Sequence, residues 1–244
     1  MHEDKKIALV TGANKGIGKH VARQLAEAGL TVLLGSRDVA RGQSTVDELD
    51  GDVRLAVLDV TDAGSVSTLA KQVETEFGRL DVLVNNAAIS PGAQTPSETD
   101  LGDLRAAYET NVFGVVRVTN AFLPLLRESA APRIVNVSSG LGSFAVMTRL
   151  TGEYSEFKAI AYQTSKAALN AVTVLYAKEL HGTAFKVNAV SPGYRKTDLG
   201  GAGQEKPGAG DPAEGALSVT RLALLDDNGP TGEFHLDTGG LCPW

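Results

Sequence analysis

The chain has 244 residues, of which 43% are hydrophobic and 21% charged, and its formal net charge at pH 7 is -6. This composition is ordinary for a soluble globular protein. The acidic balance gives no support for nucleic-acid binding, and no apolar run approaches the roughly 20 residues that cross a bilayer. Cys242 is the only cysteine and the four histidines are scattered, so we expect no disulfide and no metal site. The first residues lack the apolar stretch of a signal peptide, which favours a cytoplasmic protein.

Short apolar runs alternate with amphipathic segments along most of the sequence. Seven runs are predicted to be strands covered on both faces, because they are nearly continuously apolar. They are Ile7–Val10, Thr31–Gly35, Val53–Leu58, Val82–Val84, Arg133–Val137, Lys186–Val190 and Glu233–Leu236. Three segments between them carry apolar residues at helical spacing. These residues are Ile17, Val21 and Leu25; Val66, Leu69, Val73 and Phe77; and Leu169, Val172, Tyr176 and Leu180.

This alternation predicts one α/β domain over residues 1–244, with helices on both faces of a parallel, doubly wound sheet. No linker, repeat or low-complexity tract divides the chain. Gly29 stands where the first helix would end in a left-handed cap. The loosest stretch is Gly200–Gly210, which contains five glycines and a proline and is predicted to be a mobile loop.

The first predicted strand runs directly into the segment Thr11-Gly-Ala-Asn-Lys-Gly-Ile-Gly18. Its glycines at 12, 16 and 18 permit a tight turn, a close approach of the backbone to a pyrophosphate, and close helix–strand packing. The helix that begins there would offer free N–H groups and its positive dipole end to phosphates. Because this turn follows a strand, precedes a helix and opens an α/β pattern, it predicts a dinucleotide-binding site.

The end of the second predicted strand bears on the choice of cofactor. A carboxylate there would bind the ribose 2′-hydroxyl of NAD, whereas a cation would receive the 2′-phosphate of NADP. This chain has Ser36 followed by Arg37, and Lys15 in the glycine turn adds a second cation. Arg suits bidentate phosphate recognition and Lys adds a point charge, so we expect NADP(H). The alternative is that Arg37 forms a solvated surface pair with Asp38.

Tyr162 and Lys166 lie four residues apart on a predicted helix, so both side chains project from one face. A phenol has an unperturbed pKa of about 10, and a neighbouring ammonium lowers that pKa by favouring the phenolate. The pair therefore predicts a side chain that exchanges a proton near physiological pH. The spacing alone is weak evidence, because it occurs often on solvated helices.

Together these segments resemble the short-chain dehydrogenase/reductase family over nearly the whole chain. Further matches are Asp59 after the third strand, Asn85-Asn-Ala-Ala88 after the fourth, and Pro192-Gly193 with Thr197. The resemblance implies a single-domain Rossmann fold with a seven-stranded parallel sheet in the order 3-2-1-4-5-6-7. It also implies the binding of NADP(H). The cofactor residues that it implies are Gly12, Asn14, Lys15, Gly16, Ile17, Gly18, Ser36, Arg37, Asp59, Val60, Asn86, Ala87, Tyr162, Lys166, Pro192, Gly193 and Thr197.

The same resemblance implies four catalytic residues: Asn111, Ser139, Tyr162 and Lys166. Tyr162 would give its proton to a carbonyl oxygen, and Ser139 would hydrogen-bond that oxygen. Lys166 would lower the tyrosine pKa and hold the nicotinamide ribose, and Asn111 would hold a water that links Lys166 to solvent. Each residue has a plainer alternative: Asn111 as an exposed helical residue, Ser139 (or its neighbour Ser138) as the start of a turn, and Tyr162 as a structural residue.

Three features depart from the family pattern. Ala88 replaces a glycine, and the turn should still form if its φ is negative. Arg195 replaces a small apolar residue, and its side chain could point toward the cofactor phosphates or to solvent. The gap from Ser139 to Tyr162 is 23 positions, longer than usual.

The lengthened segment, about residues 141–160, resembles an insertion of the carbonyl reductase branch, which walls the substrate pocket and covers a helix face used for oligomerisation. Its apolar residues are Phe144, Met147, Leu150, Tyr154 and Phe157. With a substrate loop at about 194–211 that includes Tyr194, they favour a ketone, aldehyde or alcohol substrate with an apolar body, and a monomer. The alternative function is a non-catalytic NADP(H)-binding sensor or scaffold.

Overall fold

The computed structural model describes residues 5–92, 94–152, 155–199 and 207–244. Within them, seven strands form one parallel sheet in the order β3-β2-β1-β4-β5-β6-β7. The strands are β1 (Ile7–Val10), β2 (Thr31–Ser36), β3 (Val53–Val57), β4 (Val82–Asn85), β5 (Arg133–Val137), β6 (Lys186–Ser191) and β7 (Phe234–Leu236). The predicted fold class and sheet order are confirmed, and each strand end lies within one residue of its predicted place.

Helices connect the strands. They are α1 (Gly16–Glu27), α2 (Val39–Asp47), α3 (Ala63–Phe77), α4 (Leu101–Tyr108), α5 (Gly114–Arg127), α6 (Phe144–Met147), α7 (Ile160–Glu179) and α8 (Pro212–Ala223). A π-helical turn, Glu109–Phe113, joins α4 to α5, and short 3-10 turns cover Pro96–Glu98 and Gly140–Gly142. None of the described helices is long and apolar enough to span a membrane.

The sheet divides two apolar cores. Val21 and Leu25 of α1 pack with α8 on one face, while Val66 and Leu69 of α3 pack with α5 and α7 on the other. The predicted helical stripes therefore face the sheet. The expectation that every strand is covered on both faces is wrong for β3: Val57 is 49% exposed, because β3 is an edge strand.

Helix ends follow local sequence signals. Gly29 has a φ of +90° directly after α1, which confirms the predicted left-handed cap. Four helices (α2, α3, α4 and α8) begin after an aspartate whose carboxylate accepts a backbone N–H of the first turn, as expected for this residue at an N-cap. These carboxylates therefore help to fix where the four helices begin.

Asp81 fastens the end of the sheet opposite the predicted site. Its carboxylate accepts the backbone N–H of Ile7 at 2.8 Å and the Ser129 hydroxyl at 2.6 Å. Arg79 donates to the same carboxylate at 3.2 Å. The start of β1, the start of β4 and the end of α5 are thereby tied together at the amino edge, and the carboxyl edge remains open for a ligand.

Candidate active site

Loops that carry most of the predicted site residues follow β1, β4, β5 and β6, which are neighbours in the sheet. They meet at its carboxyl edge, where open α/β sheets bind ligands. The Thr11 hydroxyl accepts the backbone N–H groups of Asn86 at 3.0 Å and Ala87 at 2.9 Å. The Asn86 side-chain amide donates back to the carbonyl oxygens of Thr11 and Gly12 at 2.9 and 3.1 Å. The side chain of Asn86 thus braces the glycine turn.

The glycine turn lies too close to its neighbours to hold side chains at two of its positions. Gly12 has a φ of +62°, and a Cβ there would lie 2.9 Å from the Cα of Ala87. A Cβ on Gly18 would lie 2.7 Å from the Gly12 carbonyl oxygen. No side chain among the described residues caps the start of α1, so its first N–H groups suit an anion.

Other predicted residues of this turn have defined positions. Ile17 is partly buried and packs against the core that contains Val21 and Leu25 of α1. The carbonyl oxygen of Asn14 accepts the Thr45 hydroxyl at 3.0 Å. Lys15 pairs with Asp198 at 2.9 Å, which places its ammonium near the loop after β6. Gly16 faces that loop too, because a Cβ on it would lie 3.3 Å from Cγ2 of Thr197.

The end of β2 carries a cation, Arg37, that forms no ion pair with any of the described residues. Ser36 is buried, and its hydroxyl donates to the Asp38 carbonyl oxygen at 2.7 Å. The Asp38 carboxylate caps α2 and pairs with Arg41 at 3.3 Å, so the alternative of an Arg37–Asp38 pair is wrong. Arg37 is exposed, and no ion pair within the described parts of the chain includes it.

Asp59 lies near Arg37 at the end of β3. Burial alone would raise the pKa of its carboxyl. Hydrogen bonds from the Thr61 backbone and hydroxyl, together with the charges of Arg37 and Arg117, lower that pKa below its ordinary value. Arg117 also donates to the Val60 carbonyl oxygen at 2.5 Å. The Asp59 carboxylate is therefore held ionised, and the segment after β3 is fixed beside the cleft between the loops at the carboxyl edge of the sheet.

Ser139 and Tyr162 contact each other on the other side of the cleft. Tyr162 is only 8% exposed, and its hydroxyl is hydrogen-bonded to the side chain of Ser139. Ser138 is buried, and its hydroxyl donates to the Asn170 side chain at 2.5 Å. Of the two serines, Ser139 is therefore the one beside the phenol.

The protonation of Tyr162 and Lys166 differs from the expectation. The Lys166 Nζ lies 5.7 Å from the centre of the Tyr162 ring and donates to the Val137 carbonyl oxygen at 2.8 Å. Burial raises the pKa of Tyr162 to about 12, although the hydrogen bond with Ser139 acts in the opposite direction. Burial also lowers the pKa of Lys166 to about 7. The phenol is thus held protonated, because withdrawal from water outweighs the neighbouring amine.

Asn111 lies in the π-helical turn and is fully buried, so the alternative of an exposed residue is wrong. Its amide donates to the Ile89 carbonyl oxygen and the Ser165 hydroxyl, both at 2.9 Å, and accepts the Ile89 N–H at 2.9 Å. Ser165 donates in turn to the Tyr162 carbonyl oxygen at 2.7 Å. The side chain of Asn111 therefore links the loop after β4 to α7. π turns of this kind occur often at functional sites.

Asn170 is a site residue that the sequence reasoning missed. It donates to the Gly142 carbonyl oxygen at 3.2 Å and accepts from Ser138, so it fixes both sides of Ser139. A Cβ on Gly142 would lie 2.7 Å from the backbone of Lys166, which shows how closely this turn packs on α7. The available signal was spacing, since Asn170 follows Lys166 by four residues and shares its helix face.

The segment after β6 begins with Pro192, which is buried, and Gly193, whose φ is +78°. Arg195 takes neither of the two directions expected for it. Its side chain turns back to bind the Pro192 carbonyl oxygen, Glu214 and Asp237. Ala88 has no positive φ, as the turn after β4 requires. Tyr154 and residues 200–206, which belong to the predicted pocket wall and mobile loop, lie outside the described residues.

Comparison with known proteins matches residues 6–207 to the short chain dehydrogenase family. The chain belongs to this family. This short-chain dehydrogenase is therefore an oxidoreductase, and it is 35% identical to (-)-isopiperitenone reductase of Mentha piperita over 96% of its own length and 97% of the relative's.

Solved structures agree with that assignment. Salutaridine reductase from Papaver somniferum is 32% identical, with a TM-score of 0.78 over 94% of this chain and 99% of that one. NADPH-bound carbonyl reductase from chicken fatty liver is 27% identical, with a TM-score of 0.85 over 98% and 99%. The alignment with isopiperitenone reductase spans 311 positions, more than the 244 residues of this chain, so that relative carries segments without a counterpart here.

Proposed function

We propose that this short-chain dehydrogenase uses NADP(H) to interconvert a ketone or aldehyde with an apolar body and the corresponding alcohol. The observation that carries the proposal is the hydrogen-bonded pair of Ser139 and Tyr162, with Lys166 buried beneath it. A protonated phenol at the carboxyl edge of the sheet, across the cleft from a phosphate-binding turn, is suited to protonate a carbonyl oxygen while a hydride is added to its carbon.

The fit to NADP(H) rests on the glycine turn and on the end of β2. The glycine turn packs tightly without side chains at Gly12 and Gly18 beside the uncapped start of α1, so its backbone is free to approach a pyrophosphate. Arg37 presents an exposed guanidinium, and Ser36 offers no carboxylate that would repel a 2′-phosphate. The chicken carbonyl reductase, which is described as NADPH-bound, supports the same choice. The residues that would hold the cofactor are those predicted from the sequence.

NADPH, if held by these residues, would supply the hydride. Tyr162 donates its proton to the oxygen as negative charge develops there, and burial keeps that proton in place beforehand by raising the phenol pKa to about 12. Ser139 holds the oxygen by a hydrogen bond. The Lys166 amine lies 5.7 Å from the centre of the Tyr162 ring, where its positive charge would stabilise the phenolate left by proton transfer, while Asn111 fixes the position of α7 through Ser165.

An apolar substrate is supported by exposed aromatic side chains in the segment between Ser139 and Tyr162 and in the loop after β6. Phe144, Phe157 and Tyr194 are 65%, 44% and 61% exposed, which leaves their rings available to a ligand. We also propose a monomer, which light scattering of the purified protein checks.

Tyr162→Phe tests the catalytic role. The variant should bind NADPH as the wild type does and lose nearly all ketone reduction, because no proton is available at that oxygen. Tyr176→Phe is the matched control: it removes a second tyrosine hydroxyl of α7, which bonds Asn120 at 2.7 Å, and should retain turnover. Retained reduction by Tyr162→Phe would contradict the mechanism. A wild type that binds NADPH but reduces no ketone in a broad panel would favour a non-catalytic sensor instead.

Ser36→Asp combined with Arg37→Ala tests the cofactor choice. A carboxylate at the end of β2 should repel the 2′-phosphate and accept the 2′-hydroxyl of NADH, so the preference should reverse. Fluorescence titration with both cofactors measures it. Unchanged affinity for NADPH would contradict the assignment.

A further inference from the structure

Arg195 makes three polar contacts with a side chain that is only 13% exposed. Nε donates to the Pro192 carbonyl oxygen at 2.7 Å. One terminal nitrogen pairs with Glu214 at 2.9 Å, and the other pairs with Asp237 at 2.5 Å. One guanidinium therefore joins the segment after β6 to the first turn of α8 and to the residue that follows β7.

The surroundings of Arg195 leave room for this arrangement. A Cβ on Gly215 would lie 3.0 Å from Cγ of Arg195, and one on Gly193 would lie 3.2 Å from a terminal nitrogen. A Cβ on Gly210 would collide with the other terminal nitrogen. The guanidinium is thus enclosed by positions that lack side chains.

The same contacts fix the backbone beside the cleft. Tyr194 and Lys196 exchange hydrogen bonds with Gly210, each at 2.9 Å, so the two described flanks of the loop run side by side at Arg195. Because these three contacts occupy the side chain of Arg195, only the backbone of this residue remains available to a ligand. The guanidinium has two terminal nitrogens, and in Arg195 each of them binds one carboxylate. An exposed arginine without these partners would be hydrated instead.

We propose that Arg195 is a positioning residue that holds the backbone of Pro192–Thr197 in the conformation needed by the nicotinamide half of the dinucleotide. It acts through its bonds to Asp237, Glu214 and the Pro192 carbonyl. This inference rests on the proposed function, because it assigns a role in the binding of NADP(H). The adenosine half, held by the ends of β2 and β3, should not depend on it.

The test compares two ligands on each variant. NADPH occupies the whole cleft, whereas 2′,5′-ADP occupies only its adenosine half. Arg195→Met should weaken NADPH binding and slow single-turnover hydride transfer to a ketone, each by roughly 10-fold or more, since small misplacements at a reacting centre have effects of this size. Its affinity for 2′,5′-ADP should stay within about twofold of wild type. Arg195→Lys can bind fewer of the three partners, so its NADPH affinity and its rate of hydride transfer should lie between those of wild type and Arg195→Met.

Asp237→Asn is the second variant, and it decides the matter if Arg195→Met does not fold. It should change the same two quantities in the same direction, and the effects of the double variant should be less than additive. Arg127→Met is the control, because it removes an exposed arginine of α5 that lies 3.9 Å from Glu179. It should leave NADPH affinity and hydride transfer unchanged.

Three outcomes would overturn the inference. NADPH affinity and hydride transfer could both stay within twofold of wild type, or 2′,5′-ADP affinity could fall in parallel with NADPH affinity, which would indicate a general structural role. If the wild type itself neither binds NADPH nor reduces a ketone, the proposed function fails and the inference fails with it. An active wild type with an unaffected Arg195→Met variant rejects the inference alone.

Discussion

Lys166→Met should make the folded protein more stable at neutral pH while removing its activity. Burial lowers the pKa of Lys166 from its ordinary value of 10.5 to about 7. Above the pKa of the unfolded chain, the amine is neutral in both states and has no effect on stability. As the pH falls from that pKa toward the lower pKa of the folded chain, only the unfolded chain takes up the proton, so the folded protein loses stability. At pH 7 this proton uptake lowers the free energy of unfolding by about 4 kcal/mol, compared with a protein whose side chain at position 166 does not titrate.

The gain from methionine is smaller than this amount. The substitution leaves the Val137 carbonyl oxygen without the Lys166 donor, and such a loss costs about 1–3 kcal/mol. We therefore expect a net gain of about 2 kcal/mol at pH 7. At pH 9 the penalty on wild-type Lys166 falls to about 2 kcal/mol, so the advantage of the variant should disappear.

Urea denaturation of both proteins at pH 7 and pH 9 measures the two differences. Lys178→Met is the control, because Lys178 lies on the same helix and is exposed, so its effect should not change between the two pH values. Two results would refute the reasoning: a Lys166→Met variant less stable than wild type at pH 7, or a difference that stays constant up to pH 9. Loss of carbonyl reduction in the stabilised variant would mark the buried amine as a functional cost to stability.

Three further substitutions test the packing of the site. Gly12→Ala places a side chain on a residue whose φ is +62°. It should weaken dinucleotide binding and lower the stability of the protein by about 1–3 kcal/mol. Calorimetric titration with NADPH checks the binding, and wild-type affinity would argue against the tight turn. Gly142→Ala places a Cβ within 2.7–2.9 Å of the α7 backbone at Lys166 and Ala167. It should displace Ser139 and lower kcat by roughly 10-fold with NADPH affinity nearly kept, whereas an unchanged kcat would mean that the turn can shift freely. Asn170→Ala removes the bonds on both sides of Ser139 and should cost about 1–3 kcal/mol in thermal unfolding together with a lower kcat; a variant that loses neither would show that Asn170 is dispensable.

The sheet could be predicted from the sequence because its determinants are local. Strand runs such as Arg133–Val137 are bounded by changes of residue type, and the helical stripes follow a period of 3.6 residues. The glycine turn was recognisable for the same reason, since its glycines stand between a strand and a helix. The order of the strands followed from the family resemblance and not from the residues alone.

The remaining features depend on pairs that are distant in the sequence. Lys15 and Asp198 are 183 positions apart, and Arg195 and Asp237 are 42 apart, so no local pattern indicates either contact. The protonation of Tyr162 was predicted in the wrong direction because spacing shows that Lys166 is near but not how fully both groups are buried. Burial is a property of the packed fold, and here it exceeds the effect of one neighbour.

The central position of β1 connects the fold to the order of synthesis on the ribosome. Ala8 pairs with Val32 on one side and with Val82 on the other. The ribosome adds about 5–20 residues per second, so β4 is synthesised roughly 4–15 s after β1, and one edge of β1 is unpaired during that time. The helix that packs on α1, α8, is synthesised later still. The Gln24 side chain of α1 donates to the carbonyl oxygen of Ala213 in α8, which is 189 positions away. An apolar strand with an open edge is a site of aggregation. The half-made chain, more than the finished enzyme, is therefore the form that is most exposed to aggregation.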